Sequence, residues 1–316
     1  VKQLAAAAIV LALLGAPGCT AYSGRLNIYE TKNPEHRPSV LGVPLRNGQV
    51  VLTEAPGDLS FVFELIPQHF YPFTHAAIVS VEDGIPWVYE VTGDYSPHFH
   101  RKVLDNVHGG VRRRPFPLYV APNLYAEVFD PPPGVDGDKV AAFVRQKYAE
   151  GVEFDAYFRY DEHEKLFCTE FVELALEAGG AKPRPLDPVR DNPSLKTAMR
   201  WLGVPLDTAL PAGVYQDESR FVAAMGHFQS RAGAYAYFEG KREVHRRFTK
   251  DQRLGYLFEL HATGDLTARP ELVSFMIAAS RATQKMDPPP EPNDPRIREA
   301  VRRIADEMFG PVTGAD

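Results

Sequence analysis

The chain has 316 residues, 44% hydrophobic and 24% charged, the balance of an ordinary globular protein with enough length for one large domain or two modest ones. A net charge of -6 leaves no basic footprint for nucleic acid, so that class of partner is set aside. Proline is used 28 times, which foretells many punctuated loops.

Residues 1–18 read as a secretory signal peptide. Lys2 supplies a positive start, and the apolar run from Leu4 to Leu14 is too short to span a bilayer. Ala16-Pro17-Gly18-Cys19 is similar to a bacterial lipobox, in which Cys19 becomes the lipid-modified first residue, although Ala16 stands where that motif usually has Leu. The expected address is the cell envelope, with the protein lipid-anchored to a membrane and facing the periplasm; ordinary cleavage with Cys19 incidental is the alternative. The chain has two cysteines. If Cys19 carries lipid, Cys168 is an unpaired thiol in an oxidising compartment, which calls for either nucleophilic chemistry or full burial.

Residues 19–40 read as a polar tether. Val50-Val51-Leu52-Thr53 and Leu59-Ser60-Phe61-Val62-Phe63 read as strands around the turn-like Ala55-Pro56-Gly57-Asp58. Gln68 to Phe73 is an aromatic loop, suited to packing first and to lining a pocket second.

Thr74 to Val81 and Trp87 to Thr92 are two strands around Asp83-Gly84, the strongest short hairpin signal. A two-residue turn sets His75 opposite Thr92 and Ala77 opposite Glu90. Residues two apart share a face, so His75 and Glu90 become diagonal neighbours, their Cβ atoms roughly 7–8 Å apart or less. If Pro86 pushes the turn one residue wider, that shared face is lost; the other reading is a half-buried histidine and a solvated glutamate.

Further strands are expected at Gly110 to Arg114, Leu118 to Val120 and Tyr125 to Phe129, with Arg112, Arg113 and Arg114 on a solvated face. His98-Phe99-His100 has ligand-like spacing but no carboxylate or cysteine set around it, so no metal is expected. Asp138 to Ala149 reads as an amphipathic helix, with Val140, Phe143, Val144 and Tyr148 on one face and Gly151 as its stop. His163 lies in a charged loop and is a rival base by proximity in sequence.

Phe167-Cys168-Thr169-Glu170-Phe171-Val172 opens a second amphipathic helix, with Phe171, Val172, Ala175 and Ala178 on the face of Cys168. Gly179-Gly180 stops it. Cys168 therefore sits in the first turn, where unpaired N–H groups and the helix dipole favour a thiolate; the alternative is a small hydrophobe filling core space. After the proline-punctuated linker from Lys182 to Pro193, residues 193–316 read as a helical region. Helices are expected over Asp217 to Phe238, after a capping-box spacing at Thr249-Lys250-Asp251-Gln252, and from Pro270 and Pro295.

Gly57-Asp58-Leu59, Thr74-His75-Ala76-Ala77-Ile78-Val79, Tyr89-Glu90, Phe154-Asp155-Ala156-Tyr157-Phe158 and Phe167-Cys168-Thr169-Glu170-Phe171-Val172, in that order, resemble the circularly permuted, NlpC-type papain-like cysteine hydrolases of the YaeF/YiiX group. The resemblance covers roughly Val50 to Gly180. Thr169 departs from the Ser expected after the nucleophile. The resemblance implies an α+β fold with a permuted papain-like core over residues 41–192, a strand-rich sheet or barrel packed on the Cys helix, followed by a helical C-terminal extension. By matching positions it carries the nucleophile onto Cys168, the base onto His75 and the orienting group onto Glu90. The expected activity is an amidase or peptidase acting without a cofactor on peptidoglycan peptides. The alternatives are a lipid amide or ester hydrolase or acyltransferase, and a non-catalytic envelope-binding lipoprotein whose helical region contacts a protein partner.

Overall fold

The structure, a computed structural model, describes residues 25–32, 39–57, 59–94, 104, 107–204, 206–250, 257–260 and 266–312. The signal-peptide and lipidation expectations, including Cys19, and the histidines His98 and His100 lie outside them. Among the described residues no helix is long and apolar enough to cross a membrane.

A seven-stranded sheet organises this mixed α+β fold. Its strands in chain order are β1 (Asn27–Thr31), β2 (Val50–Glu54), β3 (His75–Glu82), β4 (Ile85–Gly93), β5 (Gly109–Pro115), β6 (Tyr125–Phe129) and β7 (Phe221–Gly226). They lie in the order β1-β7-β6-β2-β3-β4-β5, and every neighbouring pair is antiparallel. Strand β2 sits in the middle and is buried along its whole length; the apolar run Val50 to Leu52 anticipates this, while the burial of Thr53 and Glu54 does not follow from it. Alternate residues feed two cores. Val50, Leu52, Ile78 and Tyr89 join the larger one beneath the helices, while Val51, Ala77, Val79 and Val88 join a smaller one on the opposite face.

The hairpin has the register its turn dictates. Glu82 pairs with Ile85, Val79 with Val88 and Ile78 with Tyr89. Asp83 and Gly84 both take positive φ, 49° and 79°, as a primed two-residue turn requires.

Four elements depart from the sequence expectations. Leu59 to Phe63, read as a strand, lies in a helix, α1 (Leu59–Leu65). Its aromatic and β-branched run favours extended chain, but Ser60 and Glu64, one turn apart, must both reach the buried Lys241 ammonium. Leu118 to Val120 likewise belongs to a short helix, α2 (Phe116–Val120), begun by Pro115 and Pro117 and buried through Phe116, Tyr119 and Val120. Phe221–Gly226, expected to be helical, is β7, so residues 193–316 contribute a strand to the sheet. Asn27–Thr31, inside the expected tether, pairs with β7 as the sheet's edge.

The expected helices over the following stretch are present. Helix α3 (Gly137–Glu150) is capped by the Asp136 side chain and stopped by left-handed Gly151. Helix α4 (Cys168–Ala178) packs on β3 and β4 with α3 alongside. Phe171, Val172, Ala175 and Leu176 are fully buried, whereas Ala178, expected on that face, is exposed. Each of the large side chains contributes about 1.5–3 kcal/mol by leaving water. Gly179 is where α4 meets α3: a Cβ there would lie 2.6 Å from Val140 Cγ2, so only glycine allows the approach. Gly180 then takes a φ of 99° and ends the helix.

The remaining helices are α5 (Pro193–Leu202), α6 (Arg231–Lys250), α7 (Pro270–Ser280) and α8 (Pro295–Phe309). Helix α6 packs against α1, α7 and α8. It runs through Thr249, where a new helix start was expected; Asp251 and Gln252 lie outside the described residues. Its Lys241 is fully buried among Glu54 and Glu64, with Nζ 2.8 Å from Glu54 Oε1 and 3.1 Å from Glu64 Oε2.

Candidate active site

Three chain segments converge at the start of β3. The first is the β3–β4 hairpin, which carries His75 and Glu90 on one face. His75 Nε2 lies 2.9 Å from Glu90 Oε2, so the diagonal pair expected from the turn is in hydrogen-bond contact. Glu90 is 7% exposed and His75 22% exposed.

The second segment delivers Cys168. Asp155 is buried and accepts hydrogen bonds from the backbone N–H groups of Tyr157 and Arg159, which curls the Phe154 to Phe158 stretch into a tight loop. Phe158 packs its ring against Phe154, Phe63 and Phe167. The Leu166 N–H bonds to Glu153 O at 3.0 Å and the Asp155 N–H to Leu166 O at 2.9 Å, so the chain enters α4 on a fixed path. Glu170 accepts from the Phe167 N–H at 3.3 Å, which is half of a capping box, since Phe167 has no side-chain acceptor to complete it. Cys168 is the first residue of the helix, and its thiol is neither sealed nor fully open.

Cys168 is the second neighbour of the His75 imidazole. Burial works against the imidazolium, but the charge and hydrogen bonding of Cys168, followed by the hydrogen bond and charge of Glu90, overcome it and lift His75 to about 10. Burial also opposes the Glu90 carboxylate, yet His75, Arg114 and Arg112 together hold it below the usual carboxylate range. Arg114 Nε is 3.3 Å from Glu90 Oε1, an attraction of charges without an aligned hydrogen bond.

The third segment was not legible in the sequence. Tyr119 of α2 is buried, its hydroxyl 3.5 Å from Thr53 Oγ1, and Thr53 is the residue paired with His75 across β2 and β3. Burial pushes this phenol well above its ordinary pKa, and Glu90 and Cys168 add to the effect by charge, so Tyr119 stays a neutral group beside the site. An aromatic in a short, proline-flanked apolar stretch carries no signal of such a position.

Other candidates fall elsewhere. His163, the rival base by proximity in sequence, is exposed and directed to Glu170, Nδ1 to Oε1 2.6 Å. Of the three arginines expected on a solvated face, Arg112 and Arg114 share the face of Glu90. Arg113 points the other way and lies over the Trp87 ring, 4.5 Å from its centroid. The aromatic loop is chiefly packing: Phe73 is buried against Tyr125 and Phe238. Among the described residues, no group of three or more His, Cys, Asp or Glu side chains is arranged to hold a metal ion.

A cysteine at a helix N-terminus, an imidazole and a carboxylate in series can support nucleophilic chemistry. No family model matches the chain, and no curated protein matches it. Among solved structures it is similar to the metalloprotein YiiX of Escherichia coli O157:H7, at 16% identity and a TM-score of 0.43, over 56% of this chain and 95% of that one.

Proposed function

We propose that the chain is a cysteine hydrolase with a permuted papain-like core, which cleaves an amide bond through an acyl-enzyme. The observation that carries the reading is one imidazole hydrogen-bonded to a buried carboxylate and within reach of the charge of a partly exposed thiol at a helix N-terminus.

In the proposed cycle the Cys168 thiolate attacks the amide carbon, and the carbonyl electrons move to oxygen. The Cys168 N–H, in the first turn of α4, donates to that oxyanion. The His75 imidazolium gives its proton to the departing amine as the C–N bond breaks, leaving a thioester. Neutral His75 then takes a proton from water, hydroxide adds to the thioester carbon, and expulsion of the thiolate yields a carboxylic acid. Glu90 fixes the ring and stabilises its cationic form throughout.

The first substrate class proposed is a peptide amide of envelope peptidoglycan, met by a protein anchored through Cys19. Arg114, 43% exposed beside Glu90, offers a docking cation to a carboxylate-bearing peptide and none of that advantage to a neutral lipid amide. Incubation of the purified protein with muropeptides and with lipid amides, read by mass spectrometry, tests this. Cleavage of the peptides that disappears in Cys168→Ala supports the reading. Cleavage of the lipids alone reassigns the substrate, and failure of Cys168 to react with a thiol probe near neutral pH leaves only a binding role.

A further inference from the structure

A cavity of about 600 Å³ lies between α6, α7 and the proline-rich strap that follows them, and none of its lining residues belongs to the candidate site. Its walls are apolar at the deep end, where Phe61, Leu272 and Met276 are nearly inaccessible to water, and they grade through half-buried Phe228 and Ile277 to an exposed mouth. A void of this size falls in the roughly 300–1,000 Å³ range of small-molecule sites, and left empty it forfeits dispersion contacts along its whole lining.

The mouth has a sign. Among the described residues no carboxylate lines the cavity, while two arginines do. Arg231 is already committed to Glu127 at 3.1 Å and to Glu30 and Glu218. Arg281 is exposed, and it makes no ion pair among the described residues. The N-terminus of α6 adds to the same potential: Ser230 caps it through the Gly233 N–H at 3.1 Å, and residues 230 to 233 all line the cavity. An apolar depth under a cationic rim matches an amphiphile with a single apolar tail and an anionic head.

We propose that this cavity binds a long-chain fatty carboxylate, its tail against Phe61, Leu272 and Met276 and its carboxylate at Arg281. The site is independent of the hydrolase chemistry, and one protein can hold ligand here whether or not Cys168 is a nucleophile.

The test is a fluorescence titration of the full chain with cis-parinaric acid and with its methyl ester. The acid saturates a single site, and Met276→Trp, which fills the deep end, abolishes binding of both probes. Arg281→Glu weakens the acid by roughly tenfold, the loss of one charge-assisted contact, and leaves the ester unchanged. Should Met276→Trp melt at a much lower temperature than the parent, Ile277→Trp at the half-buried wall supplies the same block. Cys168→Ala binds the acid as the parent does, so loss of hydrolysis and loss of this site are read separately. Absence of saturable binding by the acid, binding that survives both cavity-filling variants, or equal response of acid and ester to Arg281→Glu each overturns the proposal.

Discussion

His75 Nε2 and Glu90 Oε2 stand 2.9 Å apart, although the hairpin sets neither residue directly opposite the other. His75 is paired with Thr53 on β2, and Glu90 with Arg112 on β5. The contact is a diagonal one across β3 and β4. It leaves the imidazole anchored on one side and within reach of the Cys168 charge.

Cys168→Ala is expected to abolish amide hydrolysis while leaving the fold intact. The thiol is partly exposed and little packing is lost, so the thermal midpoint should move by no more than a few degrees, a ΔΔG of under about 1 kcal/mol. Retained turnover in the purified variant would refute the nucleophile.

The pH dependence has a definite sign. The folded-state pKa of His75, about 10, lies above its ordinary 6.5. The stability contributed by its charged form is therefore complete below pH 6.5 and is lost as the pH rises through about 10. Hydrolysis should follow the same upper limb, because the leaving amine needs the imidazolium proton. In Glu90→Gln the ring keeps a partner but loses the negative charge, so the limb moves to lower pH. His75→Ala should slow iodoacetamide labelling of Cys168 near neutral pH by about tenfold or more, since the thiolate loses its cation. A limb that stays in place in Glu90→Gln argues against the role given to the carboxylate.

Lys241 is the only cation within 4 Å of the Glu54 and Glu64 carboxylates among the described residues, and all three groups are buried. Lys241→Met should destabilise the protein by about 3–5 kcal/mol, because it strands buried charge, with urea unfolding as the measurement. Burial first, then the Glu54 charge, raises Glu64 to about 7 against the opposing pull of Lys241. A raised carboxyl binds its proton more tightly when folded, so Glu64 makes stability fall as the pH rises from about 4.5 to about 7. Glu64→Gln should remove that slope.

Glu170 accepts from the Phe167 N–H and pairs with His163, which ties the first turn of α4 to the preceding loop. Glu170→Ala should cost about 1 kcal/mol of stability through the lost cap. Faster amide hydrogen exchange confined to the start of α4 is the accompanying signature; unchanged exchange there would show that the cap does not hold Cys168 in place.

The hairpin and the Cys168 helix were legible because their determinants are local. Asp83-Gly84 imposes a turn whose geometry fixes the partner of every residue in both strands, and from that the meeting of His75 with Glu90 follows. The apolar spacing of Phe171, Val172 and Ala175, closed by Gly180, likewise needs nothing beyond the segment itself. Helix α1 shows the opposite case. Its Phe61-Val62-Phe63 run prefers an extended chain, and the deciding partner, Lys241, lies 181 residues from Ser60.

By itself the sequence determined the register of one hairpin, and with it the meeting of His75 with Glu90, and the start and stop of the cysteine helix. Only the tertiary structure decided that Tyr119 stands beside the site, that Phe221–Gly226 is a strand between β1 and β6, and that Lys241 is buried between Glu54 at the end of β2 and Glu64 on α1. The reason is where the free energy comes from. Turns and caps are settled by dihedral preference and by hydrogen bonds within a few residues, whereas strand insertion and buried ion pairing are favourable only once distant segments have excluded water together.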